Sequence, residues 1–299
     1  MELGFGPEAL RLVVLGSGSS GNAVVLEAGG QRLLIDAGFS CKEIERRLER
    51  VGLAGASFSG LVITHEHGDH CRGARVFARR HRVPVFATAG TFARLRLGEG
   101  GLFERVVLRS GVPRQIGSFR IEPFEVPHDA AEPIGLLVQD AGGHRVGVLA
   151  DLGARTHLAW GRLTDLDALL LETNHDLEML RNGPYPWPLK ERIAARHGHL
   201  SNREAAEGLP DLLNDRLKFV VLYHLSRTNN LPVLAEDAIG ERLAREGSAA
   251  RMQLTTQADP TPWFGMRGGE SWVEALASPV DSAAPSTEPV GEALASSRP

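Results

Sequence analysis

LVITHEHGDH, residues 61 to 70, joins a short apolar run to four potential metal ligands. Leu61 to Thr64 predicts a buried strand, and His65, His67, Asp69 and His70 follow within six residues. Imidazole and carboxylate suit zinc, manganese or iron, and alternating residues of a tight loop can face one cavity. A solvated turn with Asp69 capping the next helix would be the bland explanation. Four ligand-type side chains at one strand end answer a coordination need better.

Three more such residues each sit just past an apolar run: His128 after Phe119 to Val126, Asp151 after Arg145 to Ala150, and His224 after Lys218 to Tyr223. Taken singly, each is explained as a loop histidine, a turn former or a capped core histidine. Taken together they share a position, because strand ends on one edge of a sheet converge on one cleft.

Around these points the chain reads as mixed β and α. Leu10 to Leu15, Ala23 to Glu27 and Arg32 to Asp36 predict a β-meander with a turn at Gly29-Gly30. Ser40 with Glu43, and Ser201 with Glu204, read as capping boxes that open helices. One helix is expected from about Asp69 to His81 and another from Leu189 to Arg196. Val83 to Ala87, Ile134 to Gln139 and Ala168 to Glu172 complete the expected strands. From residue 266 to 299 the chain is rich in Gly, Ser, Ala, Pro and Glu, which predicts a disordered tail behind one domain at 10–265.

The 299 residues, 42% of them hydrophobic, suffice for one large core. No window offers about 20 uninterrupted apolar residues for a membrane span, and only Cys41 and Cys71 are present. A cytoplasmic protein is expected. A net charge of -4 argues weakly against a nucleic-acid partner, but charge is unevenly spread. Seven arginines and no acid lie between His70 and Gly98, and Arg72, Arg75, Arg79 and Arg82 form a stripe at helical spacing. Such a stripe suits phosphates. No aromatic interleaving points to a base-stacking platform, so backbone charge is the expected mode of binding.

The histidine loop, followed by a lone His, a lone Asp and a final His, resembles the metallo-β-lactamase superfamily over about Leu10 to Gly265. That resemblance implies a four-layer αββα sandwich of mixed α/β and α+β character. It implies one metal held by His65, His67 and His128, a second held by Asp69, His70 and His224, and Asp151 bridging them. Asp36 matches a position that braces the histidine loop. Gly16 to Asn22 (GSGSSGN), Glu172 to Asp176 (ETNHD), Gly198 to Asn202 (GHLSN) and Tyr223 to Ser226 (YHLS) are similar to the YycJ/WalJ-type branch, relatives of ribonuclease Z and RNase J. This closer resemblance implies a nuclease, with 5′ exonuclease action on DNA favoured over RNA. No inserted β-CASP-like domain is visible between Asp151 and His224, which disfavours processing of long RNA.

Two divalent ions, zinc or manganese, held about 4 Å apart would activate a water and neutralise charge on phosphoryl oxygens. Asp69, His175 and His199 are the expected catalytic residues, the two histidines as phosphate contacts or proton donors to the leaving oxygen. Ser201 reads as a helix cap and Cys71 as a buried helix residue. Gly16-x-Gly18-x-x-Gly21 also satisfies a dinucleotide-binding pattern, but the β-branched run at Ala23 to Glu27 leaves no room for the required helix. A hydrolase of a thioester, lactone or β-lactam would use the same metals on a carbonyl. A non-catalytic binding module would have lost ligands, and none is missing.

Overall fold

The computed structural model describes residues 9–95 and 101–276. The chain opens with an antiparallel meander: β1 (Leu10–Gly16), β2 (Ala23–Ala28) and β3 (Gln31–Ile35). Gly29 and Gly30 turn β2 into β3 at positive φ (57° and 72°), and the register pairs Val24 with Ile35. A strand begins directly after the Gly16–Asn22 loop, so the geometry required of a dinucleotide-binding turn is absent there. Helix α1 (Cys41–Arg50) starts at Ser40, whose side chain accepts the Glu43 N–H at 3.3 Å.

From there the strands run parallel. β4 (Gly60–Val62) pairs beside β3, then come α2 (Gly68–Cys71), α3 (Ala74–His81), β5 (Pro84–Thr88), α4 (Ala89–Arg94) and β6 (Glu104–Leu108). The expected single helix from Asp69 to His81 is two helices. The chain breaks at Gly73, where a Cβ would lie 2.1 Å from the Phe39 carbonyl oxygen, and the Gly73 N–H instead donates to Ala37 O at 2.8 Å. Tertiary packing overrides the helical periodicity there.

The second sheet begins with β7 (Arg114–Ile116), β8 (Phe119–Glu125), β9 (Ile134–Gln139) and β10 (Arg145–Leu149). It continues through α5 (His157–Arg162), β11 (Ala168–Glu172), α6 (Leu177–Asn182), α7 (Trp187–Ala194), α8 (Asn202–Gly208) and a 3-10 turn at Leu209–Leu212. α8 carries the full Ser201/Glu204 capping box. β12 (Phe219–Tyr223), α9 (Pro232–Arg245) and β13 (Arg251–Leu254) close that half. β14 (Trp263–Arg267) and β15 (Glu270–Glu274) then return to the first sheet. The domain boundary at 265 is therefore corrected. The Gly268-Gly269 pair is a hairpin turn rather than the start of a tail, and it pairs Phe264 with Val273. The rest of the expected tail, 277–299, lies outside the described residues.

Sheet order is β15-β14-β1-β2-β3-β4-β5-β6 in one layer and β13-β12-β11-β10-β9-β8-β7 in the other. Leu12, Val24, Leu26, Ile121, Leu136, Val148 and Val221 meet between the sheets. On the outer face of the first sheet, α1 and α3 cover Val13, Val25 and Leu61 with Ile44, Leu48 and Phe77. On the second, α5, α8 and α9 cover Leu169, Leu171 and Val220 with Trp160, Ala205 and Ile239. The result is a four-layer αββα sandwich. Strands β4, β10, β11 and β12 each have a parallel neighbour and are buried throughout or nearly so, which explains their continuous apolar runs. Their carboxyl ends open on one side, where sheets of this kind place their sites.

Candidate metal centre

Every sequence-predicted ligand reaches one cleft. His65, His67, His128 and Asp151 bring a ligand atom each to within 4.8 Å of one another, and so do Asp69, His70, Asp151 and His224. Asp151 belongs to both groups. Its Oδ2 lies 3.5 Å from His65 Nε2 and 3.4 Å from His128 Nε2, while its Oδ1 lies 3.2 Å from His70 Nε2. α2 starts at His67 without any side-chain cap bond, so the Asp69 carboxylate is not spent on capping and lies 3.3 Å from His224 Nε2.

Several rings are held through Nδ1. His70 Nδ1 bonds Asp36 Oδ2 at 2.7 Å, His128 Nδ1 bonds the Gly198 carbonyl at 2.9 Å, and His224 Nδ1 bonds Glu172 Oε1 at 2.9 Å. This fixes the tautomer and turns each Nε2 inward, the arrangement a metal-binding imidazole needs. His65 Nε2 and Asp151 Oδ1 are buried without a hydrogen-bond partner among the described residues. Burial of such atoms is costly unless something compensates them, and a divalent cation does so. The donor set therefore fits metal.

The electrostatics agree. Burial alone would lower the His224 pKa, but the Asp151 charge and the hydrogen bonds to Asp69 and Glu172 raise it to about 10. Burial likewise opposes the charged form of His70, yet Asp151, Asp36 and Asp69 lift it well above the usual histidine range. Against its own desolvation, Asp151 is pulled well below the usual carboxylate range by His224 and His70. His65 goes the other way, down, because burial and the neighbouring His70 both disfavour its charge. The carboxylates thus draw positive charge into the cleft.

Asp36 is a brace, as its position implied. It ends β3 at positive φ (59°), is 1% exposed, and accepts from the Thr64 N–H at 2.8 Å and the Thr64 hydroxyl at 2.9 Å as well as from His70. The glycine-serine loop supports the same residues from the other side. Ser17 Oγ accepts the His224 N–H at 2.8 Å, and the Asn22 N–H donates to Asp69 O at 2.8 Å. Gly38 must be glycine here, because a Cβ would sit 1.7 Å from the Asp69 carbonyl oxygen.

Glu172 was quoted within a motif but given no role, and it proves central. Fully buried at the end of β11, it accepts His199 Nδ1 at 2.7 Å and His224 Nδ1 through the same Oε1, while Oε2 accepts the Leu152 and Leu200 N–H groups at 2.7 and 3.2 Å. Burial works against the His199 charge, but Glu172 outweighs it and raises the pKa. His199 also lines the cleft. Asp151, Glu172, His199 and His224 also satisfy the distance test for a metal set, but the Nδ1 atoms of both rings already bond Glu172, which makes it an orienting group. Asp129 is a further addition: it accepts Arg192 Nε at 2.6 Å and lies 3.4 Å from His128 Nε2.

His175 is corrected. It is 0% exposed, bridges Ser201 in a parallel backbone pair, and does not line the cleft, so direct phosphate contact is closed to it. Cys71 is half-buried and donates to the Glu66 carbonyl at 3.1 Å, with burial pushing its thiol up to about 11. Outside the cleft, Cys41, Glu45 and His81 come close enough to hold a cation, but Arg80 occupies Glu45 at 2.9 Å and burial raises the Cys41 thiol to about 11.

The cleft itself measures about 230 Å³ and is walled by Ser19, Tyr185, Leu189, Arg192 and Ile193 as well as by ligands. Asp129 also borders a wider groove of about 990 Å³ lined by Arg72, Arg75 and Arg94. The arginine stripe is thus divided. Arg79 and Arg82 do not line that groove, and Arg82 sits in a left-handed turn (φ 54°) with its guanidinium 5.2 Å from the Phe103 ring centroid.

An αββα sandwich with a histidine-aspartate cleft at its sheet ends defines a metallo-β-lactamase-type hydrolase, and the chain belongs to that family: residues 31–225 match the β-lactamase superfamily domain. Within it, the chain is 34% identical over 240 residues to exodeoxyribonuclease YycJ of Bacillus anthracis, covering 80% of this chain and 90% of the relative. It is 35% identical over 248 residues to exodeoxyribonuclease WalJ of Streptococcus pneumoniae, covering 82% and 90%. The metallo-β-lactamase fold protein YhfI of Bacillus subtilis superposes with a TM-score of 0.64 at 15% identity, over 84% of this chain and 98% of that one.

Proposed function

We propose that the protein is a metal-dependent phosphodiester hydrolase acting as a 5′ exonuclease on DNA. The observation that carries this reading is the pairing, in one cleft, of two ligand groups sharing Asp151 with a non-ligand histidine, His199, held by buried Glu172. Relatives named exodeoxyribonucleases over most of the chain support the choice of polymer and of chain-end attack.

His65, His67 and His128 would hold one divalent cation and Asp69, His70 and His224 the other, with Asp151 between them. Zinc or manganese bound there would supply an activated water and neutralise charge on the phosphoryl oxygens. Asp69, the more exposed of the two candidate carboxylate ligands, would have a second task as an acceptor of the proton of such a water. Glu172 accepts the His199 Nδ1–H and favours the protonated ring, whose Nε2–H then serves the leaving oxygen as proton donor. His175 supports the segment that carries Glu172. Arg72, Arg75 and Arg94 receive the phosphate backbone in the wider groove; Arg79 and Arg82 contribute at most to the surrounding field.

A carbonyl substrate such as a thioester, lactone or β-lactam would leave that arginine groove without purpose. Between Asp151 and His224 the chain holds only α5, β11, α6, α7, α8, a 3-10 turn and β12, so there is no inserted domain to grip long RNA. No helix of the described residues is long and apolar enough to cross a membrane, and both cysteines are free, which fits a cytoplasmic enzyme.

The test is to incubate metal-loaded protein with end-labelled duplex DNA, single-stranded DNA and RNA, with Asp69→Ala and His70→Ala as controls. Stepwise loss of a 5′ label from DNA, absent in both variants, is expected. Turnover of a thioester or lactone with no cleavage of any polymer would overturn the reading.

A further inference from the structure

Helix α7 is unlike the other helices of comparable length, because none of its eight residues is buried. Its apolar side chains nevertheless have a direction. Leu189 and Ile193 wall the metal cleft, together with Tyr185 just upstream. Trp187 is 64% exposed, the most exposed of the large hydrophobic side chains among the described residues, and lines a groove of about 570 Å³ with Leu177, Arg181 and Lys190. A helix that contributes nothing to the core, yet lines both the metal cleft and the Trp187 groove, is placed for a ligand.

The chemistry around it favours a polyanion with flat apolar groups. Between residues 177 and 203 there are five cations, Arg181, Lys190, Arg192, Arg196 and Arg203, against two acids, Glu178 and Glu191. Pro184, Pro186 and Pro188 alternate with Tyr185 and Trp187 and fix φ on both sides of the aromatics, so little order is lost on binding. Stacking of nucleobases on aromatic rings beside backbone-tracking cations is how unpaired strands are bound without sequence preference.

We propose that the segment Tyr185–Trp187 is a base-stacking strap that guides an unpaired DNA strand into the metal cleft, with Tyr185 at the scissile nucleotide and Trp187 one step outside it. This rests on the nuclease reading and adds to it that the substrate end is single-stranded at the point of cleavage.

Binding is to be measured with an end-labelled, phosphorothioate-linked oligothymidylate, which resists hydrolysis, and with an abasic strand of equal length and charge. The base-bearing strand is expected to bind more tightly and to quench the part of the tryptophan emission that Trp187→Phe removes, Trp187 being 64% exposed whereas Trp160 and Trp263 are only 7% and 4% exposed. Trp187→Ala should weaken the base-bearing strand by about 5- to 150-fold, the loss expected for one stacked base, and leave the abasic strand unchanged. Trp187→Phe should retain the affinity and lose the quenching. Equal affinity for the two strands, or unaltered binding by Trp187→Ala, overturns the strap and turns the groove over to a protein partner. Cleavage of end-labelled DNA by the wild type is scored separately: cleavage without base-dependent binding overturns the strap alone, whereas no cleavage of any polymer overturns the nuclease reading.

Discussion

The two halves of the sandwich furnish the candidate metal centre in opposite ways. The first sheet gives four candidate ligands from six consecutive residues on one loop after β4, clamped by Asp36 and by the Gly16–Asn22 turn. The second gives one side chain at a time, His128, Asp151, Glu172 and His224, from the ends of β8, β10, β11 and β12. A clustered loop depends on local bracing. A dispersed set depends on strand register, since Glu172 opposes Tyr223 only because β11 and β12 are parallel and in step. Asp151 is where the two designs meet.

Breaking that meeting point should have the largest effect. Asp151→Ala removes the one carboxylate common to both ligand groups and leaves the inward-facing nitrogens of His65, His70 and His128 without it, so hydrolysis should fall to background. Circular dichroism would check that the fold remains. Next in size is the orienting shell of the second half. Glu172→Gln and His199→Ala should each lower kcat by about 10²- to 10⁴-fold, the range of a lost proton donor. If His199 acts only as packing, His199→Gln would keep kcat, which steady-state rates on end-labelled DNA would show.

The first half should be softer at its brace. Asp36→Asn keeps an oxygen for the Thr64 N–H but presents an N–H to His70 Nδ1, which favours the wrong tautomer. Metal affinity should drop about 10- to 100-fold, as for other outer partners of metal-bound histidines, and competition with a fluorescent chelator would measure it. The smallest effect belongs outside both halves. Arg72→Ala with Arg75→Ala should reduce the slope of log affinity against log salt by about 2, one for each phosphate contact, whereas Arg79→Ala with Arg82→Ala should leave it unchanged.

The same contrast explains what the sequence disclosed. His65, His67, Asp69 and His70 were legible because their density has no bland explanation. His128, Asp151 and His224 were legible because each follows an apolar run. Glu172 escaped although it obeys nearly the same rule: it is the last residue within its strand rather than the first beyond it, and its partners His199 and His224 lie 27 and 52 residues away. His175 was misjudged because its motif neighbours suggested a site, and burial cannot be read from a motif. The helix expected through Arg72 failed at Gly73, where a contact with Phe39 sets the limit. The β14–β15 hairpin was missed because its composition resembles a linker and its pairing partner, β1, stands at the other end of the chain.

The central claim is that both halves together hold two cations in one catalytic cleft. Elemental analysis of protein loaded with zinc or manganese and freed of excess metal tests it most directly. Two equivalents per chain are expected, falling to one or fewer in Asp151→Ala together with the loss of DNA cleavage. One equivalent or none in a wild-type protein that cleaves DNA at full rate would contradict it.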